Sequence, residues 1–216
     1  MRVINLDISN PVKFSLAIEE AVDCLKNGGV IVYPTDTVYG LGCDALNAEA
    51  VNKIFKIKKR KNSNPFSVMV KDIEEIKKYA FLESKVKNII AKIIPGPFTI
   101  ILAGVKKLPP IVTGSSSNIG IRIPNHPVTQ KLSENFENPI ISTSVNIAGK
   151  EPLNDPFKIV DLFSQEKFKP DLILDFGKLK EAKPSTVINF SRRNPQIVRS
   201  GMMSVKETME LLTKLQ

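Results

Sequence analysis

Gly29-Val30-Ile31-Val32-Tyr33-Pro34-Thr35-Asp36-Thr37-Val38-Tyr39-Gly40-Leu41 is the segment from which the architecture can be read. Val30 to Tyr33 is an unbroken apolar run of strand length, the pattern of a strand buried on both faces. Pro34 ends it. Thr35, Asp36 and Thr37 then put polar groups at the carboxyl end of that strand, where open α/β sheets meet ligands. A strand that is apolar on both faces needs cover on both. Upstream, Asn10 to Lys26 reads as an amphipathic helix, with Ile18, Ala21, Val22 and Leu25 at helical spacing and Gly28-Gly29 as its stop. Downstream, Asn47 caps a helix striped with Val51, Ile54 and Phe55, and the cations of its last turn suit the helix dipole.

Helices and strands continue to alternate. Phe66–Val70 reads as a strand, and Asp72 with Glu75 as a capping box on a short helix. Ser84 starts a helix containing Val86, Ile89, Ile90 and Ile93. Pro95-Gly96-Pro97 breaks the chain before a strand at Phe98–Leu102. Gly114 to Asn118 is the most loop-like stretch, expected to be mobile, and a strand at Ile119–Ile123 follows. A helix at Val128–Phe136 leads to a strand at Ile140-Ile141, and Asp155-Pro156 opens another helix. Strands are expected at Leu172–Leu174, Thr186–Phe190 and Gln196–Val198, and Ser204 with Glu207 caps a final helix. The expectation is a mixed α/β, or α+β, fold with an open, twisted mixed sheet flanked by helices. Without a repeat or linker, residues 1–216 read as a single domain.

The composition narrows the classes. The 216 residues are 42% hydrophobic and 25% charged, which rules out wholesale disorder. No apolar run reaches the roughly 20 residues of a membrane helix. The first residues, Met1 to Asp7, do not read as a signal peptide. Cys24 and Cys43 stand alone, so neither a disulfide framework nor a zinc site is expected, and a reducing cytoplasm fits. The net charge of +9 favours polyanionic partners. Six cations, Lys53, Lys56, Lys58, Lys59, Arg60 and Lys61, fall within nine residues without an acid among them. Such a run repels itself unless an anion sits nearby.

Familiar motifs fail on context. Gly40-x-Gly42-x-x-Ala45 matches a dinucleotide fingerprint, but six residues separate it from the preceding strand and its helix starts only near Ala48. There is no phosphate-binding P-loop and no nucleophile elbow. His126 is the sole histidine, which removes most histidine-dependent schemes; in Pro124-Asn125-His126-Pro127 it reads as a turn residue.

Three segments carry polar groups that strands and turns do not need. These are Thr35–Thr37, the run Lys56-Ile57-Lys58-Lys59-Arg60-Lys61, and Ser142-Thr143-Ser144-Val145-Asn146. In the second, alternate cations can grip a triphosphate. In the third, Ser142, Ser144 and Asn146 point one way if the strand continues; alone it reads more readily as a Ser/Thr/Asn turn.

Lys58-x-Arg60 with Ser144-x-Asn146 resembles the K-x-R and S-x-N signature of the YrdC-like family, the threonylcarbamoyl-AMP synthases. Gly29–Leu41, Pro95–Thr99, Gly120–Pro124, Pro184–Val187 and Val198–Gly201 are similar to further family segments, in order, from about Ala17 to Met203. The resemblance implies a YrdC-like fold and a nucleotidyltransferase. Its substrates would be L-threonine, bicarbonate and ATP, and its products threonylcarbamoyl-AMP and pyrophosphate. A partner complex would then transfer the threonylcarbamoyl group to tRNA, to the adenosine beside the anticodon. Threonine's amine and bicarbonate would give a carbamate, which attacks the α-phosphate. Fixed cations and Mg²⁺ would offset the approach of two anions.

By position in the motifs, Lys58 and Arg60 would be catalytic, clamping phosphates and carbamate. Lys56, Asn118, Ser144, Asn146 and Arg199 would help hold ATP. Thr35, Arg122, Ser142 and Ser185 would hold threonine, an arginine being the natural partner of its carboxylate. Lys61, Met69, Asn118 and Ala148 depart from the usual family residues, Met69 standing where many members place a histidine near threonine. The chain resembles the short members, without a second domain. Two alternatives stay open. One is an RNA-binding module using the basic groove with direct RNA contact; 6% aromatics and no Trp argue against it. The other is a carbamoyltransferase of hydrogenase maturation, which two isolated cysteines disfavour.

Overall fold

A computed structural model describes residues 1–61, 64–180 and 183–215. Gln216, where the last helix was expected to end, lies outside them. In chain order the elements are β1 (Arg2–Asn5), α1 (Pro11–Lys26), β2 (Ile31–Tyr33), β3 (Gly40–Gly42), α2 (Ala48–Lys58), β4 (Ser67–Met69), α3 (Ile73–Ile76), α4 (Ser84–Ile90), β5 (Phe98–Ala103), α5 (Pro110–Thr113), β6 (Asn118–Arg122), α6 (Pro127–Asn135), β7 (Ile140–Ser144), α7 (Pro156–Ser164), β8 (Leu172–Asp175), β9 (Thr186–Asn189), β10 (Gln196–Arg199) and α8 (Val205–Leu215). The strands form one mixed sheet in the order β1-β8-β2-β3-β7-β4-β6-β5-β9-β10. Among the described residues no helix is long and apolar enough to cross a membrane.

The expected caps hold the helix starts. The Asn10 and Asn47 side chains accept from the first turns of α1 and α2, and Asp155 accepts from Phe157 N–H. Ser204 and Glu207 bond reciprocally ahead of α8. Asp72 caps α3, while Glu75 reaches back to Lys71 N–H rather than to the cap itself. Three elements were not expected. β1 is a short edge strand, α5 is a single turn, and β3 is the Gly-Leu-Gly stretch of the rejected dinucleotide fingerprint.

Glycines occupy β3 because Tyr33 lies across it. A methyl on Gly40 would meet the Tyr33 ring at 2.7 Å. One on Gly42 would sit 2.4 Å from the Ile141 carbonyl oxygen. The spacing that imitates a dinucleotide fingerprint is therefore the footprint of a buried aromatic ring.

The sheet carries two cores. On one face Val32, Val68, Ile100, Ile121, Ile141 and Ile188 pack with Val51, Ile54 and Phe55 of α2 and Ile89 and Ile90 of α4. On the other, Ile31, Tyr33, Met69, Ile140, Leu172 and Leu174 pack under α1 and α6. Val32 and its neighbours thus face opposite cores, as the all-apolar run predicts. The α1–α6 pair covers only part of its face. Strand alternation carries that same face beyond Met69 and Ile140 as Ser67, Ser142 and Ser144, and across β6 and β5 as Asn118, Gly120, Arg122 and Thr99. These positions are polar or small, and no helix covers them.

Candidate active site

The uncovered face is the floor of a cavity of about 690 Å³. β7 helps open it. Its first part pairs with β4 as far as Ser142, opposite Ser67, and Thr143 and Ser144 then pair only with β3. Of the expected site residues, Lys58, Arg60, Asn118, Arg122, Ser142, Ser144, Asn146, Ser185 and Arg199 line this cavity.

The end of α2 sets the two cations of the K-x-R pair. Lys59 takes a left-handed conformation, φ 49°, and the last turn closes with Arg60 N–H on Phe55 O and Lys59 N–H on Lys56 O. This is a Schellman ending with lysine in glycine's usual place. It reverses the chain so that Lys58, the last helical residue, and Arg60, two beyond it, face the same space. The Lys58 side chain is almost wholly buried, and its ammonium donates to Ser144 O (2.6 Å), Asn146 O (3.2 Å) and Asn146 Oδ1 (2.6 Å). Ser144 Oγ donates to the same Asn146 Oδ1 at 2.8 Å, and Asn146 Nδ2 to Lys150 O. The K-x-R and S-x-N halves are therefore one hydrogen-bonded network. Burial first, and then the Arg60 charge, lower the Lys58 pKa to about 7. In its ammonium form Lys58 donates to all three oxygens.

Asn146 reaches the cavity differently from the sequence expectation. The strand ends at Ser144, so Ser142 and Ser144 share a face by alternation while Asn146 arrives through a turn. Arg60 lies over the Phe66 ring, 4.7 Å from its centroid, and donates to Pro65 O; its buried Nε has no partner.

The other lysines of the basic run point elsewhere. Lys56, expected beside the phosphates, is not among the lining residues and stands over the Phe168 ring at 5.5 Å. Lys53 donates to Gly28 O, and Lys59 pairs with Glu166 at 2.8 Å. Dispersal around the helix relieves much of the repulsion in this run.

A second cationic group stands where β6 ends. Arg122 Nη2 donates to Asp36 Oδ1 (2.7 Å) and Thr37 Oγ1 (2.6 Å), and its buried Nε has no partner. Asp36 and Thr37 belong to a segment read as ligand-facing, but of its residues only Thr35 was expected to hold substrate. They lie inside the segment that fixed the fold, but nothing in their spacing points to Arg122. Thr35 contributes from behind: its hydroxyl is buried, donates to Val38 O, and lies 3.4 Å from Arg122 Nη2. Arg199 donates to Ser185 O and Ser185 Oγ, and the Ser185 hydroxyl lies 2.7 Å from Thr99 Oγ1. Burial first, and then Arg122, lower the Arg199 pKa. Met69 is buried under α6 rather than lining the cavity. His126 accepts from Val128 N–H as the cap of α6, and burial drives its pKa to about 4. It plays the turn role read from the sequence.

Acidic side chains are absent from the lining, and no cluster of three or more His, Cys, Asp or Glu that could hold a metal occurs among the described residues. The donor set does not build a magnesium site. Magnesium fits here only as part of a magnesium–nucleotide substrate, held by its phosphates.

A family model described as "Telomere recombination", that of Sua5, YciO and YrdC, matches residues 23–201. The chain belongs to the Sua5/YciO/YrdC family. Within the family it is 39% identical over 183 residues to a Methanocaldococcus jannaschii protein provisionally named threonylcarbamoyl-AMP synthase, covering 85% of this chain and 84% of that one. Escherichia coli YciO, named as uncharacterized, is 35% identical over 191 residues, covering 88% and 91% of the two chains. The crystal structure of Pyrococcus abyssi Sua5 complexed with L-threonine matches with a TM-score of 0.87 at 29% identity, over 98% of this chain and 61% of that one. The chain thus spans less than two thirds of that longer Sua5. The expected YrdC-like mixed sheet is the fold observed.

Proposed function

We propose that this protein is an L-threonylcarbamoyladenylate synthase, a nucleotidyltransferase that serves tRNA modification in the cytoplasm. The observation that carries the reading is the cavity itself: among the described residues Lys58, Arg60, Arg122 and Arg199 line it and acids do not, and the signature residues Lys58, Ser144 and Asn146 form one network. The relatives named threonylcarbamoyl-AMP synthase and the threonine complex of the Pyrococcus protein support it.

In this reading Arg122 takes the threonine carboxylate through donors that Asp36 leaves free, and Ser142 and Ser185 hold the rest of the amino acid. The threonine amine and bicarbonate give a carbamate and water. A carbamate oxygen then attacks the α-phosphorus of ATP, the bond to the β-phosphate oxygen breaks, and pyrophosphate leaves. Lys58 and Arg60 neutralise the phosphates and carbamate as they meet, while Asn118, Ser144 and Asn146 hold the nucleotide. Lys58 reaches this charge from a fixed position, its protons held on the β7 turn, so its contribution is preorganised field rather than a mobile clamp. Arg199, expected among the ATP-binding residues, stands on Ser185 and in this reading adds its charge at the threonine end beside Arg122. A transferase complex would pass the product to the adenosine beside the anticodon.

Incubation with magnesium-ATP, L-threonine and labelled bicarbonate tests this. A threonine-dependent AMP conjugate carrying the label is expected, with release of pyrophosphate, and Arg60→Ala abolishes it. Absence of the conjugate from folded protein that binds RNA tightly would instead favour the binding-module reading. Against that reading, the aromatic lining residues Tyr39 and Phe66 are buried and offer no stacking platform.

A pH effect follows from Lys58. A phosphate ligand favours the ammonium form and raises the pKa from its value of about 7 in the free protein. Nucleotide binding at pH 8 therefore takes up protons, and affinity falls above pH 7 by at most about tenfold per pH unit. Calorimetry in two buffers of different ionisation enthalpy reads the uptake, which Lys58→Met removes.

A further inference from the structure

The four cations of the cavity form two groups. β4 pairs Met69 with both Arg122 and Ile140, so Arg122 stands level with Ile140 across the strands. The Lys58 ammonium rests on Ser144, four residues further along β7. At roughly 3.3 Å per strand residue, these two backbone positions lie about 13 Å apart along the sheet. They differ in one respect. Among the described residues, Arg122 alone of the four is ion-paired, to Asp36. Asp36 does not line the cavity. It lies behind Arg122, the two side chains 10% and 8% exposed, so solvent screens the pair little. Its second oxygen accepts the Asn125 backbone N–H at 3.0 Å. Both oxygens are committed and neither is offered to a ligand.

Charge counting gives this arrangement a purpose. Arg122 and Arg199 carry two positive charges, and Asp36 removes one. The charge left matches a single carboxylate. Among the described residues, Lys58 and Arg60 have no acid against them and face a phosphate chain. We propose that Asp36 is a specificity-determining residue, which keeps the Arg122–Arg199 end of the cavity a seat for one carboxylate and closes it to polyphosphate.

This deepens the synthase reading and rests on it. Both substrates of that reaction are anions, and the cavity is open enough for either to enter either end. With Asp36 uncharged, the two guanidinium groups would draw the more highly charged ligand. ATP or pyrophosphate would then occupy the amino-acid seat unproductively.

The test is calorimetric titration with inorganic pyrophosphate. Wild-type protein is expected to bind one pyrophosphate per chain, which neither L-threonine nor acetate displaces. Asp36→Asn binds a second, at the arginine end, at least about 100-fold more tightly than wild type does there, the factor expected for each unit of ligand charge on loss of one charge within about 6 Å at an effective dielectric near 20. L-threonine or acetate competes with that second ion, and adding Arg199→Ala removes it. Asp36→Glu, which keeps the charge, binds one. A single site in folded Asp36→Asn, or a second site in Asp36→Glu, overturns the proposal. If Asp36→Asn does not fold, the wild type decides, since pyrophosphate displaced by the carboxylate there also overturns it. Counting pyrophosphate needs no turnover. Protein that fails to make the adenylate yet shows the expected stoichiometries would sink the synthase reading and leave the role of Asp36 standing.

Discussion

Lys58→Met and Asn146→Ala are each expected to lower kcat/KM for adenylate formation by about 10²–10³, the usual loss when a preorganised polar group facing developing charge is removed. The double variant is expected to be no worse than the poorer single. The two side chains are 88 residues apart in sequence but share a 2.6 Å hydrogen bond, and Asn146 Oδ1 also takes the Ser144 hydroxyl. Removing Lys58 frees the turn that presents Ser144 and Asn146. Removing Asn146 takes one of the three oxygens that hold the Lys58 proton. Residues that act as a unit lose their effect once. A double-mutant cycle on steady-state rates measures this, and additive losses would mean that lysine and asparagine hold their ligands independently.

Gly42→Ala is expected to cost about 3 kcal/mol or more, at the upper end of overpacking effects. For a domain of this size that lowers Tm by on the order of 10 °C. The added methyl has no escape, because its neighbours are the Ile141 carbonyl at 2.4 Å, Ile140 Cγ2 at 2.8 Å and the Tyr33 ring at 2.9 Å. Gly177→Ala is the comparison. There φ is +80° and nothing lies within 4 Å, so only backbone strain of about 1–2 kcal/mol is expected. Thermal unfolding of both variants separates crowding from conformation. Equal losses would show that β3 yields to the methyl, and that the Tyr33 ring does not dictate its glycines.

Much of the fold was legible because its signals are local. The apolar run before Pro34, the helical stripe of α1 and the caps Asn47, Asp155 and Ser204 each act within a few residues. β3 was not legible, since glycine reads as a break, and its reason for being there is a ring on a neighbouring strand. The site divides the same way. Ser142 and Ser144 follow from strand alternation, but Asn146 depends on a bend after Ser144, and the segment's residues, which offered strand or turn, do not say where one gives way to the other. Lys56 shares the basic run with Lys58, yet a helix sends residues two apart to different sides, and Phe168 takes it. The pairing of Lys58 with Asn146 was reachable only through family resemblance. Asp36 lay in full view in the opening segment, but its partner Arg122 is 86 residues away. Contacts set by topology have no local signature.

The ending of α2 also limits how this site can change in length. Lys58 and Arg60 converge because one is the last residue of a helix and the other follows a single left-handed step. Each residue of a helix advances its azimuth by about 100°. Deleting or inserting one residue between Ala48 and Lys58 would therefore swing the lysine off the β7 turn, even with every motif letter intact. Lineages that gain or lose residues should do so in the segments beyond this helix end. Within α2 the signature behaves as a reading frame, in which phase counts for as much as identity.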